Sequence, residues 1–191
     1  MVTDPGWHAL GGLDARVFLA INHAGGGWLW DRLALAGSAV GDHALYPVYA
    51  AAALALALKR PGWLSAQAVL AFLLAYLIDA AAVAAIKPWL NAPRPLSVLG
   101  PQQVHVLGAA QYWHGFPSGH SAFAWTIAAA LWPGAHWVLR IALLLCAVWV
   151  AWSRIAVGAH FPLDVVAGAL LGVLAAMLAA RLLRLAGYPR R

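Results

Sequence analysis

No glutamate occurs anywhere in this chain, and its acidic side chains are six aspartates. Pairs of carboxylates suited to gripping a divalent ion are therefore wanting. Cysteine occurs once, as Cys146 inside an apolar run, which excludes an intrachain disulfide and a cysteine metal centre. Charge of either sign is sparse, 9% of residues, against about 25% in a soluble domain. Met1 to Asn22 has no basic start followed by an apolar core, so no cleaved leader is expected. There is no internal repeat, and no low-complexity tract beyond alanine-rich runs.

What fills the chain instead is hydrocarbon. Of 191 residues, 64% are hydrophobic, and the mean hydropathy is +0.77. One soluble core of this size could not hide that much apolar surface, so the bilayer is the natural solvent. The length suits a single domain, 1–191. A helical crossing needs roughly 17–25 apolar residues. Five stretches qualify or nearly so: Leu33 to Leu58, Leu64 to Ile86, Phe116 to Trp132, His136 to Val157 and Pro162 to Leu183. The expected fold class is all-α, an integral membrane bundle of five to six transmembrane helices. Gly41, Asp42 and His43 interrupt the first stretch, which predicts a kink or a break. Residues 13–23 read as a short interfacial helix, with Leu13, Val17, Phe18 and Ile21 at helical spacing. Gly25-Gly26-Gly27 turns the chain, and Trp28 and Trp30 suit the interfacial belt.

The net charge of +6 is not gathered on one polar face. Its residues sit between apolar runs, as topology signals and an anion site rather than a nucleic-acid surface. Lys59, Arg60, Arg140, Arg181, Arg184, Arg190 and Arg191 fall on one side, which the positive-inside rule assigns to the cytoplasm. Arg16, Arg32, Lys87, Arg94 and Arg154 fall on the other, outward side.

Three segments on that outward side carry chemistry. The first, from Lys87 to Pro95, opens a long loop, 87–117. The second is Pro117-Ser118-Gly119-His120. The third runs from Ser153-Arg154 through His160 to Asp164. Lys87, Arg94 and Arg154 supply three cations, two of them forked guanidiniums that match phosphate oxygens. Ser118 and Gly119 open a helix whose N–H groups attract anions. Of the two histidines, one can attack phosphorus and the other can protonate a leaving oxygen. Asp164, one helical turn after His160, can hold its tautomer. Each residue has a plainer reading on its own: Lys87 as a snorkelling span end, Ser118 as a helix cap, Asp164 as a first-turn acid, Arg154 as an interfacial anchor. Only their spacing and shared side favour a single site.

The pattern is Lys, six residues, Arg-Pro; Pro-Ser-Gly-His; then Ser-Arg, five residues, His, three residues, Asp. It resembles the signature of the type 2 phosphatidic acid phosphatase superfamily, with every signature position present. The resemblance implies His160 as a nucleophile forming a phosphohistidine, His120 as general acid and Asp164 as the group orienting His160. It implies phosphate binding by Lys87, Arg94, Ser118, Gly119 and Arg154. It also implies neither metal nor other cofactor.

The expected function is therefore hydrolysis of a membrane lipid phosphate in a bacterial inner membrane, with the site facing outward. Undecaprenyl diphosphate is the first substrate, its tail leaving sideways past the third and fifth spans. Phosphatidylglycerol phosphate, phosphatidate and lipid A are alternatives, as is phosphoryl transfer to a second lipid. A transporter or an inactive structural protein fits poorly with intact His120, His160 and Asp164. Asp79 lies eight residues before Lys87, on roughly the same helix face and about 12 Å deeper, and reads as a structural hydrogen bond. Asp42 and His43 sit at similar depth. His105 and His114 read as solvated loop residues, His114 within reach of a headgroup.

Overall fold

In the computed structural model, residues 12–25 and 27–188 are described; Gly26, Arg190 and Arg191, named above, lie outside them. The architecture is helical. It comprises α1 (Leu13–His23), α2 (Trp28–Val40), α3 (Tyr46–Lys59), α4 (Ala66–Leu90), α5 (Pro95–Leu99), α6 (Gly119–Leu131), α7 (Trp137–Ala156) and α8 (Pro162–Leu185). Among the described residues three stretches are long and apolar enough to cross a membrane: Ala66–Leu99, which joins α4 and α5, then Trp137–Ala156 and Pro162–Leu185.

The expected break in the first apolar stretch is present. α2 ends at Val40, a single turn of tighter helix spans His43–Leu45, and α3 starts at Tyr46. Asp42 caps that turn, accepting a hydrogen bond from the Ala44 N–H at 2.9 Å. α2 lies against α7, while α3 lies against α4.

α6 has 13 residues, about 20 Å, and is enclosed by α4, α7 and α8. Its closest partner is α8, and glycine makes the approach possible. A Cβ on Gly168 would stand 2.4 Å from the Ser118 carbonyl oxygen, and one on Gly172 would stand 2.2 Å from that of Ala122. In a bilayer, where lipid tails compete with any apolar contact, small residues four apart let two backbones meet. Ser121 Oγ fastens the seam by donating to the Val165 carbonyl at 2.8 Å.

Two local readings change. α4 continues past Ile86 through Lys87 and Pro88 to Leu90, so Lys87 stands in its last turn and not in the loop. Proline is tolerated because neighbouring groups absorb the freed carbonyl near a membrane helix end. In α1 the buried residues are Asp14, Phe18 and Asn22, while Leu13 and Val17 are exposed. Asp14 and Asn22 thus face the protein together with Phe18, while Leu13 and Val17 face outward. Trp30 likewise turns inward, edge-on to Trp152 at 4.8 Å, whereas Trp28 is exposed. A Cβ on Gly25 would collide with the Trp30 indole.

Candidate active site

One end of the bundle collects the C-terminal turns of α4 and α7 and the N-terminal turns of α6 and α8. Those four ends bring together all three sequence segments. A cavity of about 450 Å³ opens there, lined by Lys87, Arg94, Gly119, His120, Arg154 and His160 among others. Ser118 and Asp164 stand behind this lining, fully buried.

His160 follows α7 in a short connection and is 1% exposed. Its Nδ1 faces Asp164 Oδ2 at 3.4 Å, while its Nε2 faces Arg94 Nη1 at 3.2 Å. These partners place the ring proton on Nδ1 and leave the Nε2 lone pair toward the guanidinium. Burial, reinforced by the positive charges of Arg94, Arg154 and Lys87, holds the imidazole well below its ordinary 6.5. The ring is thus neutral at pH 7. Asp164 does two things at once. Its Oδ2 also accepts from the Phe161 N–H at 2.9 Å, closing the first turn of α8. The plain first-turn reading and the histidine-orienting reading are compatible in this geometry.

Arg94 is held by backbone carbonyls: Nε donates to Trp113 at 2.8 Å, Nη1 to Ala159 at 3.1 Å and Nη2 to His114 at 3.4 Å. Lys87 Nζ donates to the same His114 carbonyl at 3.1 Å. His114 therefore contributes its carbonyl rather than its ring, and it adopts a left-handed φ of 59° to do so. Arg154 is buried, and its Nη1 donates to Ser38 Oγ from the α2 side.

Ser118 differs from the expected N–H donor. Its N–H bonds to the Asp164 carbonyl at 3.0 Å, so the hydroxyl, buried and unpartnered, is the group it can offer. Next to it, Gly119 has room. A Cβ there would meet Val83 at 3.6 Å and Lys87 at 3.8 Å, ordinary contacts. Protein packing does not demand glycine at that point, whereas close approach of an anion to the helix N-terminus would.

The cavity continues along α4 past Val83, Ala80, Asp79 and Tyr76, with Phe123 of α6 and His43 of the broken span opposite. Its walls are therefore α4, α6 and the break between α2 and α3. α8 contributes none of the lining residues. Asp79 is 3% exposed and faces the Thr126 side chain of α6. His43 pairs with Asp42 at 3.7 Å. Among the described residues no group of three or more His, Cys, Asp or Glu side chains could hold a metal ion.

Three residues beside the site were not legible as such. Asn22 of α1 donates to the carbonyls of His105 at 2.8 Å and Ala156 at 3.0 Å, and accepts from the His105 N–H at 2.8 Å. Asp14 accepts from the Leu163 N–H at 3.0 Å, supporting the start of α8. Ser38 anchors Arg154. A lone polar residue in an apolar stretch is the signal each offered. His105 is also tied, 3.6 Å from Asp31, rather than merely solvated. The 87–117 loop is folded through Val104 and Leu96, which pack with Phe18, Phe161 and Val165.

Long apolar helices around a cluster of histidines, arginines and lysine define a multi-pass membrane protein. The chain belongs to the PAP2 superfamily, whose model matches residues 68–187. It is similar to the "Lipid A 1-phosphatase" of Rhizobium johnstonii, 41% identical over 34% of this chain and 26% of that protein. It is also similar to the "Undecaprenyl-diphosphatase" of Sulfolobus acidocaldarius, 33% identical over 63% of this chain and 55% of that one. The chain thus matches between a quarter and about half the length of these curated relatives. Among solved structures it resembles Aquifex aeolicus LpxE, with TM-score 0.75 and 30% identity, over 88% of this chain and 95% of the other. The fold is shared with a transmembrane PAP2-type phosphatidylglycerolphosphate phosphatase from Bacillus subtilis, TM-score 0.71, 24% identity, over 91% and 86%.

Proposed function

We propose that the chain hydrolyses the phosphate of a membrane lipid through a phosphohistidine. The observation that carries this reading is the 3.2 Å approach of Arg94 Nη1 to His160 Nε2. A phosphate clamped by that guanidinium must lie against the unprotonated nitrogen. Nε2 attacks phosphorus, the bond to the lipid oxygen breaks, and His120, carrying a proton once the anionic phosphate lies beside it, gives that proton to the departing oxygen. His120 then takes a proton from water, whose oxygen attacks the phosphohistidine; inorganic phosphate leaves and Nε2 is restored. Asp164 stabilises the imidazole as it gains charge. Lys87, Arg94 and Arg154, with Ser118 Oγ and the N–H groups after Gly119, neutralise the transferring group. Three fixed cations take the role that a metal plays in other phosphoryl transfers, so no metal is required.

In a bilayer, α2 and α3 together would form one crossing, and α4, α6, α7 and α8 four more. The positive-inside rule puts Lys59, Arg60, Arg140, Arg181 and Arg184 in the cytoplasm and the site on the outer face of a bacterial inner membrane.

Undecaprenyl diphosphate is the proposed first substrate. Tyr76, Ala80, Val83 and Phe123 give the cavity an apolar flank below the phosphate cradle, suited to hydrocarbon. Three cations suit a diphosphate. A second reading, lipid A 1-phosphate, is favoured by the two Rhizobium relatives, 41% and 43% identical over short segments. Phosphate release from a panel of purified lipids in detergent with EDTA decides. At least tenfold higher kcat/KM for lipid A or phosphatidylglycerol phosphate, about 1.4 kcal/mol, would end the diphosphate preference. Inhibition by EDTA, reversed by a divalent ion, would end the metal-free mechanism.

A further inference from the structure

A second cavity, about 480 Å³, lies at the end of the bundle away from the phosphate cradle. Alanines make its floor, with Ala68 and Ala71 from α4, Ala129 from α6, and Ala176 and Ala180 from α8. Arg140 of α7 and Arg184 of α8 border it, and no acidic residue lines it.

The border is built rather than incidental. Arg140 Nε donates to the Ala135 carbonyl at 2.9 Å, and its guanidinium lies 5.8 Å from the Trp132 ring centre. Arg184 Nε donates to the Ala180 carbonyl at 3.2 Å. The two turns that carry this rim are joined across the bundle. Ser65 N–H bonds to the Gly134 carbonyl at 2.9 Å, and His136 N–H to that of Trp63 at 2.8 Å. Leu64 and Ala135 thereby pair as an isolated antiparallel bridge. Gly134 is required there, because a Cβ would strike Ser65 Oγ at 2.1 Å.

We propose that this trench binds an anionic glycerophospholipid. Its phosphate sits between Arg140 and Arg184, and one acyl chain lies along the alanine floor. Charge complementarity selects the ligand: two cations, one of them against a tryptophan, above a floor of alanine. Basic pockets between membrane helices recognise lipid headgroups in this manner. The proposal does not rest on the phosphatase reading.

The test is thermal unfolding of the purified full chain in neutral detergent. Phosphatidylglycerol, phosphatidylcholine or inorganic phosphate is added, and native mass spectrometry counts retained lipid. Phosphatidylglycerol at about a hundred times its Kd should raise Tm by roughly 5–10 °C, and the other two should not. The Arg140→Gln/Arg184→Gln double variant should lose both the shift and the retained lipid. Ala180→Leu keeps both arginines but fills the floor; it should lose them too, and it serves if the double variant fails to fold. The proposal is overturned if phosphatidylcholine or inorganic phosphate reproduces the shift, if the folded variants still retain phosphatidylglycerol, or if a second copy of the chain covers the trench at the same protein concentration.

Discussion

The two ends of the bundle carry the same kind of charge and use it differently. At the cradle end Arg94 is 7% exposed and Arg154 is 6% exposed. Their donors are fixed by the carbonyls of Trp113, His114 and Ala159 and by Ser38 Oγ. At the far end Lys59, Arg60, Arg181 and Arg184 are exposed. Burying a cation is costly unless something repays it. Backbone carbonyls can hold a guanidinium without neutralising it, so this end keeps net positive charge, which the proposed phosphate would offset. Lys59, Arg60 and Arg181 stand in the open, where a cation stays solvated and needs no fixed geometry.

The contrast can be broken most severely at His160. His160→Ala should lower turnover by at least about a thousandfold while helicity by circular dichroism is unchanged. Near-normal activity in the folded variant would remove the nucleophile. Arg94→Lys should cost about a hundredfold in kcat/KM, because a point charge cannot reproduce a fork already bonded on three sides. A fully active lysine variant would mean that charge alone suffices at the cradle.

A third measurement uses pH. The His160 imidazole sits well below its ordinary 6.5 in the folded chain, so below that pH the unfolded chain binds a proton that the folded chain refuses. Stability then falls as pH drops through about 6.5 and keeps falling toward the lower folded value. Tm followed from pH 7.5 to 5 should decline, and His160→Gln should reduce that decline. An identical slope in the variant would contradict the neutral buried ring. The smallest effect is expected at the far end. Arg60→Gln should change neither kcat/KM nor stability beyond about 0.5 kcal/mol; a tenfold loss of activity would show that the two ends are coupled.

The gathering of Lys87, Arg94, His120, Arg154 and His160 around one cavity was legible because these residue types are rare in hydrocarbon and stand out against runs of alanine and leucine. Their convergence followed from alternating crossings. The break at Gly41 to His43 was legible for the same reason. The inward placement of Asp14 and Asn22 on α1 was not, because each reads as polar surface until Leu163, His105 and Ala156, far away in sequence, supply its partners. The extent of α4 was misjudged because Pro88 reads as a helix end, whereas a final membrane turn can absorb it. That Ser118 would offer a hydroxyl instead of its N–H depends on the Asp164 carbonyl, a contact between residues far apart in sequence that only the Gly168 approach permits.

Asn22 also sets an order of events in biosynthesis. It lies near the start of the chain, yet its partners are His105 and Ala156, separated from it by 83 and 134 residues. At roughly 5–20 residues per second, α1 leaves the ribosome on the order of 7–27 s before the Ala156 carbonyl exists. A helix made well before α7 is thus seated only after it. Until α7 arrives, Asn22 must borrow hydrogen bonds from water or headgroups, which keeps α1 at the membrane surface. Its docking closes this end of the bundle only once Lys87, Arg94, His120 and Arg154 have all been synthesised.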